Sequence, residues 1–351
     1  MLLEGIFPAV TTPFHPDGSL YLRKLEVNVE RYSRAPISGI TVLGSNGEAV
    51  MLDDEESRET LRTAREAASP QKVLLAGVGR ESAVSTLKLA EFAAEQQYDA
   101  LLVRTPNYYG PLMRPLEMLT YFRMIADRSP LPVVLYSIPK FTKYELPVEL
   151  VAELAQHPNI IGIKDSSGNT ERIAQLVAAT RNAPKRTTVV TNVFTAFTNR
   201  MLLEQALADA TFVPADVLGP GAPAVVAPPV IRAATRTKEV GFQVLTGSTE
   251  NVKEALDAGA SGAVLAFGAC APQACQEIYM AWKDNDPALA ALKQERLREA
   301  SRTVAGKFGI PGIKFACDLN GYYGGVPRVP LLPLNAEEQS LVVKAMADLR
   351  N

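Results

Sequence analysis

Histidine and cysteine are scarce in this chain. Two histidines (His15, His157) and three cysteines (Cys270, Cys275, Cys317) are scattered over 351 residues. Their spacing matches neither the clustered ligands of a zinc site nor a disulfide framework. The cysteines are expected to be small buried hydrophobes in a reducing cytoplasm. His157, followed by Pro158 after a helix-like stretch, is expected to meet the last carbonyls of that helix. A positive excess is also missing: 36 Lys and Arg stand against 38 Asp and Glu, which disfavours a nucleic-acid partner. No charge-free apolar run reaches the ~18 residues that a spanning helix needs, so no membrane partner is expected. The start Met1-Leu2-Leu3-Glu4-Gly5 runs at once into a strand-like segment, leaving no space for an export or transit peptide. These absences point to a soluble, cytoplasmic protein. A hydrophobic content of 47% with 21% charged residues is a normal balance for a large packed core.

Short apolar runs recur and most are followed by a segment of helical period, the mark of repeated βα units around a parallel sheet. The expected strands are residues 5–11, 39–43, 73–78, 100–104, 133–136, 160–164, 242–246 and 262–266, with helices over 20–34, 53–68, 82–96, 115–126, 147–156, 170–181 and 252–258. Eight such units fit a closed α/β (β/α)8 TIM barrel. An open doubly wound sheet would place a Gly-rich phosphate fingerprint after its first strand, and none follows residues 5–11. After residue 266 the pattern is purely helical, over 273–283, 289–305, about 313–320 and 336–349. The expected organisation is a barrel over 1–268 and a C-terminal helical region over 269–351, with an insertion at about 184–240, before strand seven. That insertion far exceeds the ~2 to 6 residues of an ordinary connection. A small subdomain, an oligomer contact and a stretch foreign to the native gene product remain open for it. A lid is the least favoured, because a segment that precedes a strand has its ends at the N-terminal face, away from the chemistry.

Barrel active sites are built at the C-terminal ends of strands. The sixth expected strand, Ile160-Ile161-Gly162-Ile163-Lys164, closes on a lysine. Burial at the barrel mouth would lower its pKa and supply the neutral amine that carbonyl chemistry needs, so Lys164 is a candidate Schiff-base nucleophile. A lysine paired with Asp165 or snorkelling to solvent is the competing reading. Tyr136 ends the strand before and is a candidate proton relay, unless it merely fills a barrel layer. Ser45 and Asn46 lie between Gly44 and Gly47, where a tight turn can present N–H groups, a hydroxyl and an amide to a small carboxylate. A plain turn of that composition is the alternative. Glu48 is expected to cap the next helix or close a local hydrogen bond.

In order and spacing, Gly44-Ser45-Asn46-Gly47-Glu48, Thr105-Pro106-Asn107-Tyr108-Tyr109, Leu135-Tyr136-Ser137-Ile138-Pro139 and Gly162-Ile163-Lys164-Asp165-Ser166 resemble the dihydrodipicolinate synthase / N-acetylneuraminate lyase family of class I pyruvate-dependent aldolases. Gly309-Ile310-Pro311-Gly312-Ile313-Lys314 and Gly321-Tyr322-Tyr323-Gly324-Gly325 extend the resemblance, which covers nearly the whole chain outside about 184–240. The Ser-Asn turn, the Tyr-Ser-Ile-Pro segment and Gln156-His157-Pro158-Asn159-Ile160 are most similar to 4-hydroxy-2-oxoglutarate aldolases.

The resemblance implies a Schiff base between Lys164 and a small-molecule 2-oxo acid, pyruvate, with Tyr136 moving protons and Ser45 with Asn46 holding the carboxylate. It implies that Tyr108 reaches a neighbouring subunit's site in a homo-oligomer, tetramer or dimer, and that Gly247 and Val264 line the pyruvate pocket. It implies no cofactor and no metal.

Two departures bear on the second substrate. Phe141 stands where dihydrodipicolinate synthases carry a carboxylate-binding arginine and hydroxyoxoglutarate aldolases an asparagine, and Lys143 replaces a common glycine. An apolar ring offers no donor pair, so Lys140 or Lys143 is left to compensate. The expectation is therefore reversible cleavage of a 4-hydroxy-2-oxo acid, such as 4-hydroxy-2-oxoglutarate, to pyruvate and an aldehyde. The alternatives are 4-hydroxy-tetrahydrodipicolinate synthase activity and a catalytically silent 2-oxo-acid-binding relative.

Overall fold

The computed structural model describes residues 2–190 and 236–349. Six buried strands come first: β1 (Gly5–Pro8), β2 (Gly39–Val42), β3 (Val73–Gly77), β4 (Ala100–Arg104), β5 (Val133–Ser137) and β6 (Ile160–Asp165). A two-stranded antiparallel ribbon follows, β7 (Arg186–Val190) with β8 (Arg236–Val240). Two further barrel strands complete the set, β9 (Gln243–Thr246) and β10 (Gly262–Leu265). The barrel strands are parallel neighbours in the order β1-β10-β9-β6-β5-β4-β3-β2. Ser38 N–H donates to Ile6 O and Val10 N–H to Thr41 O, both at 3.0 Å, which brings β2 back to β1 and closes the cylinder. All eight expected strands are present, most shorter by one or more residues.

Alternation along each strand divides the core into two. Phe7, Leu75, Leu102, Val134, Tyr136 and Val264 pack together inside the cylinder. Their sequence neighbours Ile6, Leu74, Leu101, Val133, Leu135 and Leu265 pack outward among the helices, as a two-residue side-chain period requires. Helix starts follow local chemistry: Asp53 accepts from Glu56 N–H while Glu56 reaches back to Asp53 N–H, a reciprocal cap on the helix Asp54–Ala67.

The ribbon stands at the N-terminal end of the barrel. Lys238 Nζ pairs with Glu4 Oε1 at 2.7 Å, just before β1, and Arg186 donates to Gly241 O and to the Gln243 side chain, where β9 begins. The ends of the expected insertion thus lie on the face expected for them. The helix-like piece at 197–208 falls outside the described residues.

The C-terminal helices Pro272–Lys283, Pro287–Ser301, Gly309–Leu319 and Ala336–Ala345, with a π-helical stretch at Arg302–Lys307, pack against the barrel. They are less of an appendage than expected. Gln294 Nε2 donates to Thr249 O at 2.8 Å and Arg302 pairs with Glu250 at 3.2 Å, so two of their residues hold the loop that follows β9.

Candidate active site

Lys164 and Tyr136 become partners through an irregularity in the sheet. Val133 faces Ile160, but the register then shifts and Val134 faces Gly162, so that Tyr136 stands opposite Lys164. The unpaired extra residue of a bulge does this. Without it Tyr136 would face Ile163, whose side chain packs outward.

Lys164 is 4% exposed, and its Nζ sits over the Tyr136 ring at 4.1 Å from the centroid, within cation–π range. The expected competitor does not hold: Asp165 is taken by Arg172 Nε at 2.9 Å and also accepts from Ser167 N–H. Among the described residues no carboxylate lies in ion-pairing range of Lys164.

The Tyr136 hydroxyl lies 3.2 Å from Ser45 Oγ. Ser45 opens a single 3-10 turn, Ser45–Gly47, closed by Glu48 N–H on Ser45 O and pinned by Thr12 Oγ1 on Gly47 O at 2.7 Å. Two non-glycine residues with left-handed backbone bracket it, Leu43 at φ 57° and Glu48 at φ 52°. Such conformations cost energy for an L residue and cluster where surrounding structure enforces them at functional sites.

Lys164, Tyr136, Ser45, Ser166 and Gly247 line a cavity of about 260 Å³ that Ile310 and Ile313 cover from the C-terminal helices. A neighbouring cavity of about 590 Å³ shares Ser45, Tyr136 and Phe141 and extends over Arg104 and Tyr108. At Gly247 a Cβ would fall 1.9 Å from Ser166 Oγ and 2.9 Å from Ser166 Cβ, so only glycine fits this approach between β9 and β6.

Other expected site residues are placed differently. Asn46 donates its amide to Ala9 O at 2.7 Å and to Ala266 O at 2.9 Å; its side chain ties the turn to β1 and β10 instead of offering donors to a ligand. Val264 is sealed within the barrel core, and Ala266, two residues on, lines the cavity. Tyr108 is 78% exposed, with its backbone N–H on Glu81 Oε2 at 2.9 Å, and lines only the outer cavity. His157 accepts from Asn159 N–H and faces Asp127 at 3.0 Å, rather than meeting helix carbonyls.

Glu48 caps no helix. Its carboxylate forms a buried ion pair with Lys314 Nζ at 2.6 Å. Burial pushes the Lys314 pKa down while Glu48 pulls it up. Sequence reasoning missed this pair and the cavity's C-terminal wall. The run Gly309-Ile310-Pro311-Gly312-Ile313-Lys314 was the available signal, but nothing local says which loop it touches. All three cysteines are buried and free. Among the described residues no cluster of three or more His, Cys, Asp or Glu is placed to hold a metal ion, and no helix is long and apolar enough to cross a membrane.

A buried amine beside a phenol, itself linked to a serine turn, can attack a carbonyl carbon while the phenol moves the proton that the attack releases. Comparison with known proteins places this geometry. A 4-hydroxy-tetrahydrodipicolinate synthase of Methanothrix thermoacetophila is 28% identical over 351 residues, covering 99% of this chain and 98% of the relative. Another, from Xanthomonas axonopodis pv. citri, is 40% identical over 178 residues, 51% of this chain and 58% of the relative. A prophage protein of the dihydrodipicolinic acid synthase family from E. coli K12, solved in complex with pyruvate, superposes with a TM-score of 0.77 at 25% identity, covering 99% of both chains. A dihydrodipicolinate synthase of Bacillus anthracis shares the fold at a TM-score of 0.79 and 21% identity, covering 100% of both chains. The sequence profile of the dihydrodipicolinate synthetase family, a family of class I Schiff-base lyases and aldolases, matches residues 2–188 and 230–349 and passes over those between. This chain belongs to the dihydrodipicolinate synthetase family.

Proposed function

We propose that this chain binds pyruvate as an imine on Lys164 and joins it to an aldehyde, in the manner of a 4-hydroxy-tetrahydrodipicolinate synthase acting on aspartate semialdehyde. The observation that carries the reading is one cavity holding a buried amine with no carboxylate in ion-pairing range, a phenol 4.1 Å beneath it and a serine hydroxyl 3.2 Å from that phenol. The amine adds to the pyruvate carbonyl, Tyr136 passes a proton to the resulting oxygen, and water leaves to form the imine. Loss of a methyl proton then gives an enamine that attacks the aldehyde carbon, and Tyr136 returns a proton to the new alkoxide. The Ser45 hydroxyl and the first N–H groups of its turn would hold the pyruvate carboxylate, since the opening N–H groups of a helical turn lack internal acceptors.

The names of the relatives support aspartate semialdehyde. Phe141, 52% exposed at the cavity, supports a second reading, cleavage of 4-hydroxy-2-oxoglutarate to pyruvate and glyoxylate. In either case Lys140 is the cation placed for the partner's carboxylate: it lines the cavity, and its Nζ meets only Gly306 O, at 3.4 Å. Lys143 donates to Lys140 O at 3.0 Å and does not line it. The exposed Tyr108 is the contact we assign to a second copy in a homo-oligomer, although one solved relative is described as a monomeric variant.

Pyruvate with borohydride is expected to leave a stable reduced adduct on Lys164, read by peptide mass spectrometry. An unmodified Lys164 at saturating pyruvate would overturn the reading. Assays with aspartate semialdehyde and with glyoxylate or 4-hydroxy-2-oxoglutarate then separate its two branches, and trapping without any turnover would mark a silent relative.

A further inference from the structure

Glu48 and Lys314 are 266 positions apart in sequence and meet with their side chains 0% and 1% exposed. All three Lys314 protons have acceptors: Glu48 Oε1 at 2.6 Å, Thr12 O at 2.9 Å and Val326 O at 2.8 Å. The second Glu48 oxygen accepts from Arg328 N–H at 2.8 Å. The Arg328 guanidinium in turn holds Glu56, Met51 O and Gly18 O. One carboxylate therefore joins the loop after β2, the segment before helix Leu22–Arg34 and the C-terminal helix Gly309–Leu319, which also brings Ile310 and Ile313 to the cavity.

Stability does not account for this arrangement. Desolvating two charges costs about as much as their attraction returns, and an apolar pair of similar volume often does as well. What the pair does have is a short, rigid connection to Ser45. Glu48 N–H closes the turn on Ser45 O at 3.1 Å, and the left-handed backbone at Glu48 aims the side chain at Lys314 while Ser45 faces Tyr136.

We propose that the buried Glu48–Lys314 pair is a positioning device for the Ser45 turn, setting the serine hydroxyl against Tyr136 and the pyruvate carboxylate. The proposal rests on the pyruvate reading above. It makes Glu48 and Lys314 positioning residues, acting through Ser45, and it makes the C-terminal helices part of the active-site frame.

The test is a double-mutant cycle of Glu48→Gln with Ser45→Ala on the full chain, reading the rate of borohydride trapping of pyruvate at sub-saturating concentration, well below each variant's melting temperature. Glu48→Gln alone is expected to slow trapping by tenfold or more, and in the Ser45→Ala background by less than threefold, because the group it positions is already gone. Equal factors in both backgrounds would overturn the proposal, since a purely structural effect multiplies through. A second variant, Glu48→Gln/Lys314→Met, removes both charges and guards against a fold lost to one unpaired charge. It is expected to melt near the parent while keeping the trapping defect. Parent-like trapping in it would likewise overturn the proposal. Failure of the parent itself to trap pyruvate would instead refute the underlying pyruvate reading.

Discussion

Replacing Gly247 by alanine tests whether the close approach of β9 to β6 matters for chemistry. The added Cβ would lie 1.9 Å from Ser166 Oγ, 2.9 Å from Ser166 Cβ and 3.1 Å from Ser166 Cα. Rotating the Ser166 side chain removes the first clash and neither of the others, because its backbone N–H is held by Ser137 O at 2.9 Å. Reaching even the short end of carbon–carbon contact, about 3.5 Å, needs a displacement of roughly 0.6 Å between the two strand ends. Gly247 N–H is bonded to Asp165 O at 2.7 Å, so that displacement passes to the residue next to Lys164. Misplacement on the scale of 1 Å in an active site costs on the order of 10²-fold, and the expected loss in kcat/KM is between about tenfold and a hundredfold. Ser166→Gly in the same chain removes both the hydroxyl and the Cβ and is expected to recover most of it. The assay is pyruvate-dependent turnover with the melting temperature measured alongside. A fully active Gly247→Ala protein, or one that Ser166→Gly does not rescue, would refute the steric argument.

Three further outcomes follow from named contacts. Tyr136→Phe, which keeps the ring beneath Lys164 and removes the hydroxyl facing Ser45, is expected to lower kcat by roughly 10²- to 10⁴-fold, the range for a general acid–base group; single-turnover rates check it. Burial pushes the Lys72 ammonium down to about 8 from 10.5, although it donates to Ala35 O and Ile37 O. The unfolded chain then holds this proton to higher pH than the folded one, so stability relative to a Lys72→Met variant should rise as pH climbs from about 8 to 10.5. The gain is of the order of 3 kcal/mol, and parallel urea-denaturation curves for the two proteins would contradict it. Asp53→Ala removes the acceptor of Glu56 N–H at 2.8 Å and is expected to cost about 1 kcal/mol of stability, with pyruvate trapping unchanged.

The barrel was legible because its signal is local and repeated. Each strand is a short apolar run and most are followed by a helical period, so Ile160 to Lys164 stand out as a strand that ends on a charge without knowledge of any neighbour. The ribbon of β7 and β8 was not legible. Its strands read Arg-Thr-Thr-Val-Val and Arg-Thr-Lys-Glu-Val, with little apolar alternation, and they pair across a separation of about fifty residues. Asn46 shows the limit on the site side. A turn rich in donors reads as a ligand cradle, yet the carbonyls of Ala9 and Ala266 that take its amide come from two other strands. The Glu48 carboxylate likewise had a plausible local use in capping, and a lysine 266 positions away took it.

By itself the sequence determined the number and order of the βα units, the lysine and tyrosine at successive strand ends, and the glycine-bounded turn that carries Ser45. All of these depend on residue type and on spacings short enough to be set by one element. Only the tertiary structure decided that Lys164 faces Tyr136 and that the C-terminal helices wall the cavity through Ile310 and Ile313. The reason is geometric. A one-residue bulge exchanges which side chains stand opposite each other, and side chains hundreds of positions apart meet only where closure of the cylinder brings their backbones together.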